Sequence, residues 1–209
     1  MEDVLEIYER PYDPKVPVVN LDEQPVQLVK ETRRPLDMAP GHARRYDHEY
    51  ERAGTACVFL VTEALAGWRE VCVRPQRTAV DWAQEVAALL GGRYAQAEKV
   101  ILICDQLNTH TIASLYKAFR PEKARYLAQR LEIHYTPKHG SWLNIAECEL
   151  SVLTRQCLRN RIASVSALAR KVTPWARDRN TRQRGVHWQF RTKDARIKLK
   201  HLYPEVQLS

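Results

Sequence analysis

The run Val100-Ile101-Leu102-Ile103-Cys104 constrains this chain more than any other stretch, because five consecutive apolar residues leave no face for water. Unbroken apolarity over so short a length is the pattern of a strand covered on both sides, typical of parallel sheets sandwiched between helices. The run stops at Asp105. In open α/β sheets ligands gather outside the carboxyl ends of the strands. An acid in that place has two readings: it caps the helix that follows, or it belongs to a site.

A second extended run, Val16-Pro17-Val18-Val19-Asn20-Leu21-Asp22, also ends on an acid. Val26 to Val29 reads as a strand pairing back on it, and residues 31–54 as a long irregular excursion. Ala56 to Thr62 and Trp68 to Val73 read as strands. Val80, Ala83, Val86, Ala87 and Leu90 share one helical face, which Gly91-Gly92 ends. Helices are expected at 110–119, 121–130, 143–158 and 165–172, with a further one starting at Thr173-Pro174, and a strand at Leu131 to Tyr135. Strands first, then strands alternating with helices, imply an α/β fold: a mixed sheet flanked by helices, with a basic helical tail. The chain of 209 residues is long enough for one large domain. Residues 1–15, punctuated by Pro11 and Pro14, read as a linker remnant, 16–160 as the sheet-bearing domain, and 161–209 as its basic helical extension.

If the strands carrying Asp22 and Asp105 are parallel neighbours, their carboxylates stand side by side. They then repel unless a cation lies between them or one takes a proton. Such oxygen ligands suit Mg²⁺ or Mn²⁺. The helix after Gly140 offers a third acid, Glu147 or Glu149. These flank the stripe Ala146, Leu150, Leu153 and Cys157 on opposite sides, so helical periodicity does not choose between them.

Charge points to the partner. The chain carries a net +8, yet 14 Lys and Arg and only 3 acids lie from Ser151 onward, so the surplus is confined to that part. It is either a solvated basic tail or a face for a phosphate backbone, and clustering favours the second. The five cysteines form no C-x-x-C pair, which removes zinc-ligand spacing and fits a reducing compartment. No signal peptide is visible. The apolar runs, about five residues long, are far short of the roughly 20 that cross a bilayer, so no membrane partner is expected.

The stretch Thr136-Pro137-Lys138-His139-Gly140-Ser141-Trp142-Leu143-Asn144-Ile145-Ala146-Glu147 resembles the signature of bacterial insertion-sequence transposases of the mariner-like superfamily, in which Leu-Asn-x-x-Glu supplies the last acid of a DDE triad. Asp105-Gln106-Leu107-Asn108-Thr109-His110 resembles the block with the second acid, and Leu21-Asp22-Glu23 the block with the first. Tyr50-Glu51-Arg52-x-Gly54-Thr55, Trp175-x-x-x-Arg179-Asn180, Trp188-Gln189-Phe190 and Asp194-Ala195-Arg196-x-Lys198-Leu199-Lys200 extend the match from about residue 16 to 205. Gln106 departs from the family's usual asparagine.

The resemblance implies a ribonuclease-H-like fold and a DDE catalytic domain over 16–160. It selects Glu147 over Glu149, making Asp22, Asp105 and Glu147 the catalytic metal ligands for two Mg²⁺ or Mn²⁺ ions. It implies Asn108, His110 and Asn144 as supporting residues. Lys138, His139, Arg155, Arg159 and Arg161 are the expected DNA contacts. The implied activity is DNA cleavage and strand transfer, with transposon ends and a TA target as DNA partners, a homodimer on DNA, and a cytoplasmic, nucleoid-associated location. The helix-turn-helix segments such transposases carry at the front are not among these residues, as in a truncated or frameshifted copy. Two other readings remain: a repurposed remnant that only binds DNA, and another ribonuclease-H-like nuclease.

Overall fold

The structure is a computed structural model and describes residues 1–43, 45, 47–138, 140–182 and 185–203. Helix α1 (Glu2–Tyr8) precedes three strands, β1 (Val18–Glu31), β2 (Tyr50–Glu63) and β3 (Trp68–Arg74). Then come α2 (Ala79–Gly91), β4 (Val100–Cys104), α3 (Ile112–Ala118), α4 (Pro121–Gln129) and β5 (Leu131–Tyr135). Helices α5 (Ile145–Cys157), α6 (Val165–Thr181) and α7 (Thr192–Lys198) follow. The strands form one mixed sheet in the order β3-β2-β1-β4-β5. β1, β2 and β3 are antiparallel neighbours, whereas β4 runs parallel to both β1 and β5.

Strand alternation assigns the two faces. Val19, Leu21, Phe59, Val61 and Leu102 meet Trp82, Val86 and Leu90 of α2, Leu115 of α3 and Leu127 of α4. On the opposite face, Leu28, Val58 and Leu60 meet Leu150 and Leu153 of α5 and Leu168, Val172 and Trp175 of α6. Also off that first face, Ile101 and Ile103 pack with Val4, Leu5 and Ile7 of α1 and Ala195 of α7. All five residues of β4 are buried, as their unbroken apolarity requires.

Three expectations are corrected. Residues 1–15 are not a linker: α1 buries Val4, Leu5 and Ile7 almost completely, and an apolar stripe needs a partner surface. Val26 to Val29 does not turn back. It continues β1, which pairs with β2 from Asn20 opposite Thr62 to Glu31 opposite Tyr50. No glycine or asparagine follows Asp22 to make a hairpin turn. Pro25 is tolerated because β1 pairs with β4 only through Val18–Asn20, leaving that edge open beyond it. Finally, Thr173-Pro174 starts no new helix. Leu168, Val172, Trp175 and Ala176 form one buried stripe across Pro174, and that packing offsets the lost helix hydrogen bond, a loss of about 3 kcal/mol.

Candidate active site

The divergence of β1 and β4 creates the cleft. Val18, Val19 and Asn20 pair in register with Ile101, Leu102 and Ile103. The same two-residue step that follows Asn20 and Ile103 brings Asp22 and Asp105 level on one side of the sheet. Asp22 therefore lies within a long strand rather than at its end, yet it sits where parallel pairing has just stopped. Beyond that point a cleft of about 910 Å³ opens, lined by Asp22, Asp105 and Glu147 together with Gln24, Lys138 and Arg155.

Asn144 delivers the third acid. As the N-cap of α5, its side-chain oxygen accepts from the Ala146 N–H at 3.1 Å. Its amide nitrogen donates to the Leu21 carbonyl at 3.2 Å, so the start of α5 is tied to β1 beside Asp22. Glu147 lies in the first turn and faces the cleft. Further along, the Thr154 hydroxyl donates to Gln24 at 2.9 Å.

The ambiguity between Glu147 and Glu149 ends in their surroundings. Glu149 is buried and held by two arginines: Arg179 reaches both its oxygens at 3.1 and 2.8 Å, and Arg69 lies 3.1 Å away. Asn180 exchanges two hydrogen bonds with the Arg69 backbone, at 2.9 and 2.7 Å. The block Trp175-x-x-x-Arg179-Asn180 thus fastens α6 to β3 and α5. Trp175 packs in the core, its indole N–H on Gln156 at 2.7 Å.

The three cleft acids feel one another. Burial raises the Asp22 carboxyl to about 7; the Glu23 N–H opposes this, and the charges of Asp105, Glu23 and Glu147 add to it. Among the described residues no three His, Cys, Asp or Glu already stand at metal-holding separations. The donor set nevertheless fits a hard cation: three carboxylates line one cleft, and a cation among them would relieve both the repulsion between their charges and the burial of Asp22.

That shift has a consequence for stability. The folded Asp22 binds its proton more tightly than the unfolded residue, so stability falls as pH rises from about 4 through 7. In EDTA at pH 8, Asp22→Asn should therefore melt above wild type, by on the order of 2 kcal/mol or several degrees. Below about pH 4, where Asp22 is protonated in both states, the two melting curves should converge. A variant that melts below wild type at pH 8 contradicts this account, and thermal unfolding at both pH values decides.

The remaining expected residues divide. His110 is fully buried and bridges Glu23 and Asp105. Glu23 was missed as a site neighbour, although a charged residue in register with Val19 and Leu21 on an apolar face signals a buried partner. Asn108 is exposed and does not line the cleft. Lys138 and Arg155 are exposed at its edge. Arg159 is exposed just beyond α5. Arg161 holds Glu31 at 2.6 Å and the Glu49 carbonyl at 2.9 Å, clamping the far end of the β1–β2 ribbon. His139 lies outside the described residues. Arg179, Arg182 and Arg196 are likewise ion-paired within the chain, so the basic count after Ser151 overstates the unpaired positive charge of that part.

The sequence matches the family of DDE superfamily endonucleases over residues 17–169. The chain belongs to that family. No curated protein gives a significant match to it. Among solved structures, this DDE endonuclease resembles the Mos1 mariner paired end complex with Mn, at TM-score 0.55 and 17% identity over 87% of this chain and 56% of the other. The Mos1 strand transfer complex gives 0.56 and 16%, over 87% and 54%. The paired end complex with Mg gives 0.55 and 19%, over 89% and 57%. The DDE endonuclease therefore has the ribonuclease-H-like fold and spans little more than half the length of the Mos1 chains it matches. Among its described residues no helix is long and apolar enough to cross a membrane.

Proposed function

We propose that the chain is the catalytic domain of a DNA transposase that cuts DNA and joins the freed end to a target, with Asp22, Asp105 and Glu147 as its catalytic residues. The observation that carries this reading is the arrival of these three acids, from a mid-strand position, a strand end and a helix start, in one cleft bordered by Lys138 and Arg155. Two Mg²⁺ or Mn²⁺ ions held there would supply Lewis-acid stabilisation of the attacking and leaving oxygens of a phosphodiester. Asp22, Asp105 and Glu147 act as ligands, and their carboxylate charge offsets that of the ions. Asn144 keeps Glu147 in place relative to Asp22. Lys138 and Arg155 steady the DNA phosphates on either side of the broken bond, a contact independent of base sequence. A homodimer bringing two DNA ends together, a TA target and a cytoplasmic, nucleoid-associated location complete the proposal.

The test uses supercoiled plasmid and a TA-rich linear duplex, each with Mg²⁺, Mn²⁺ or EDTA, beside a competing RNA–DNA hybrid. Nicking and end-joining that require the ion and act on DNA are expected. Cleavage that persists in EDTA, or that is confined to the hybrid, counts against the transposase reading.

A further inference from the structure

None of the roles above explains why a glutamate and a histidine are buried against each other beneath the cleft. Glu23 follows Asp22, so strand alternation turns it to the opposite face, where its side chain is 2% exposed. His110 is fully buried and stacks on Trp82, with ring centroids 5.7 Å apart. Its Nε2 is 2.9 Å from Glu23 Oε2. Its Nδ1 is 2.6 Å from Asp105 Oδ1 and 3.3 Å from the Asp105 carbonyl. The carbonyl contact has hydrogen-bond geometry, whereas Oδ1, though nearer, has no hydrogen-bond partner and meets Nδ1 as a close electrostatic contact.

This bridge lies where the sheet cannot act. β1 and β4 share no backbone pairing beyond Asn20 and Ile103, so no ladder fixes Asp105 relative to Asp22. His110 spans that gap, joined at one end to the residue next to Asp22 and at the other to Asp105 itself. The bridge is braced further: the Tyr135 hydroxyl of β5 donates to the His110 carbonyl at 2.7 Å. Asp105 Oδ1 is inaccessible to solvent, whereas the side chain as a whole is 41% exposed. One carboxylate oxygen is thus occupied below and the other remains available to the cleft.

We infer that Glu23 and His110 are positioning residues that hold Asp105 at the spacing from Asp22 that a divalent ion requires, so that metal affinity depends on a pair that never touches the metal. The inference rests on the reading that Asp22 and Asp105 share an ion. A pair serving packing alone would alter stability and leave ion affinity untouched. Buried partners that orient metal ligands change affinity or activity by about 10–100-fold when removed.

Calorimetric titration of the full chain with Mg²⁺ and with Mn²⁺, well below the melting temperature, separates these cases. His110→Ala is expected to bind both ions at least about tenfold more weakly than wild type. Glu23→Leu should weaken binding likewise. Glu23→Gln, whose amide oxygen still accepts from Nε2, should stay close to wild type. Should His110→Ala not fold, the contrast between Glu23→Leu and Glu23→Gln carries the same test. Wild-type affinity in folded His110→Ala or Glu23→Leu overturns the inference alone. A wild-type chain that takes up neither ion overturns it together with the reading beneath it.

Discussion

Asp105→Asn should abolish Mg²⁺-dependent cleavage, by at least about 10³-fold, while leaving the melting temperature within a few degrees of wild type. The substitution keeps the shape of the side chain but removes its charge, and with it one of the proposed negative ligands; His110 keeps its partner Glu23. Losing a metal ligand forfeits several kcal/mol of transition-state stabilisation, and each 1.36 kcal/mol is a factor of ten in rate. Asp105 does not lie in the packed core; its side chain is 41% exposed, so little packing is lost. Nicking rates and thermal unfolding measured on one preparation check both halves. Cleavage near the wild-type rate by a folded Asp105→Asn protein removes Asp105 from the chemistry.

The two glutamates of α5 should then behave oppositely. Glu149→Ala leaves Arg69, whose side chain is fully buried, and Arg179 without the carboxylate they share. Breaking a buried ion pair by removing one partner costs about 3–5 kcal/mol. For a chain of this size that lowers the melting temperature by roughly 10 °C. Glu147→Gln should melt like wild type and lose cleavage, because Glu147 lines the open cleft. Circular dichroism melts of the two variants side by side test the contrast. If Glu149→Ala melts with wild type and Glu147→Gln collapses, the roles given to the two residues are reversed.

That contrast shows where the sequence was readable. β4 and Asp105 were legible because five apolar residues in a row have a single economical placement, in the middle of a covered sheet. Helix α5 was legible as a helix, but Glu147 and Glu149 flank its stripe symmetrically. What separates them is Arg69, on a strand far upstream, and no local pattern announces such a pairing. Helix α1 was missed because it is seven residues long and precedes a proline-punctuated stretch, too short for a period to declare itself. Asp22 stood out in the sequence as a candidate for a partly mistaken reason. It does not end a strand; it sits where β1 parts from β4, and only the register reveals that.

A count of Lys and Arg after Ser151 carries no information about which of them are already paired. Arg161, Arg179 and Arg196 each hold an acid of the same chain. Lys138 and Arg155 remain at the cleft, where a phosphate would meet them.

Anomalous diffraction from crystals of the chain soaked in Mn²⁺ tests the central claim most directly, because it locates the ion without reference to activity. A peak about 2.0–2.3 Å from carboxylate oxygens of both Asp22 and Asp105, with Glu147 completing the shell, is the predicted result. Ions bound only elsewhere, with these three side chains still apart at saturating Mn²⁺, would contradict it.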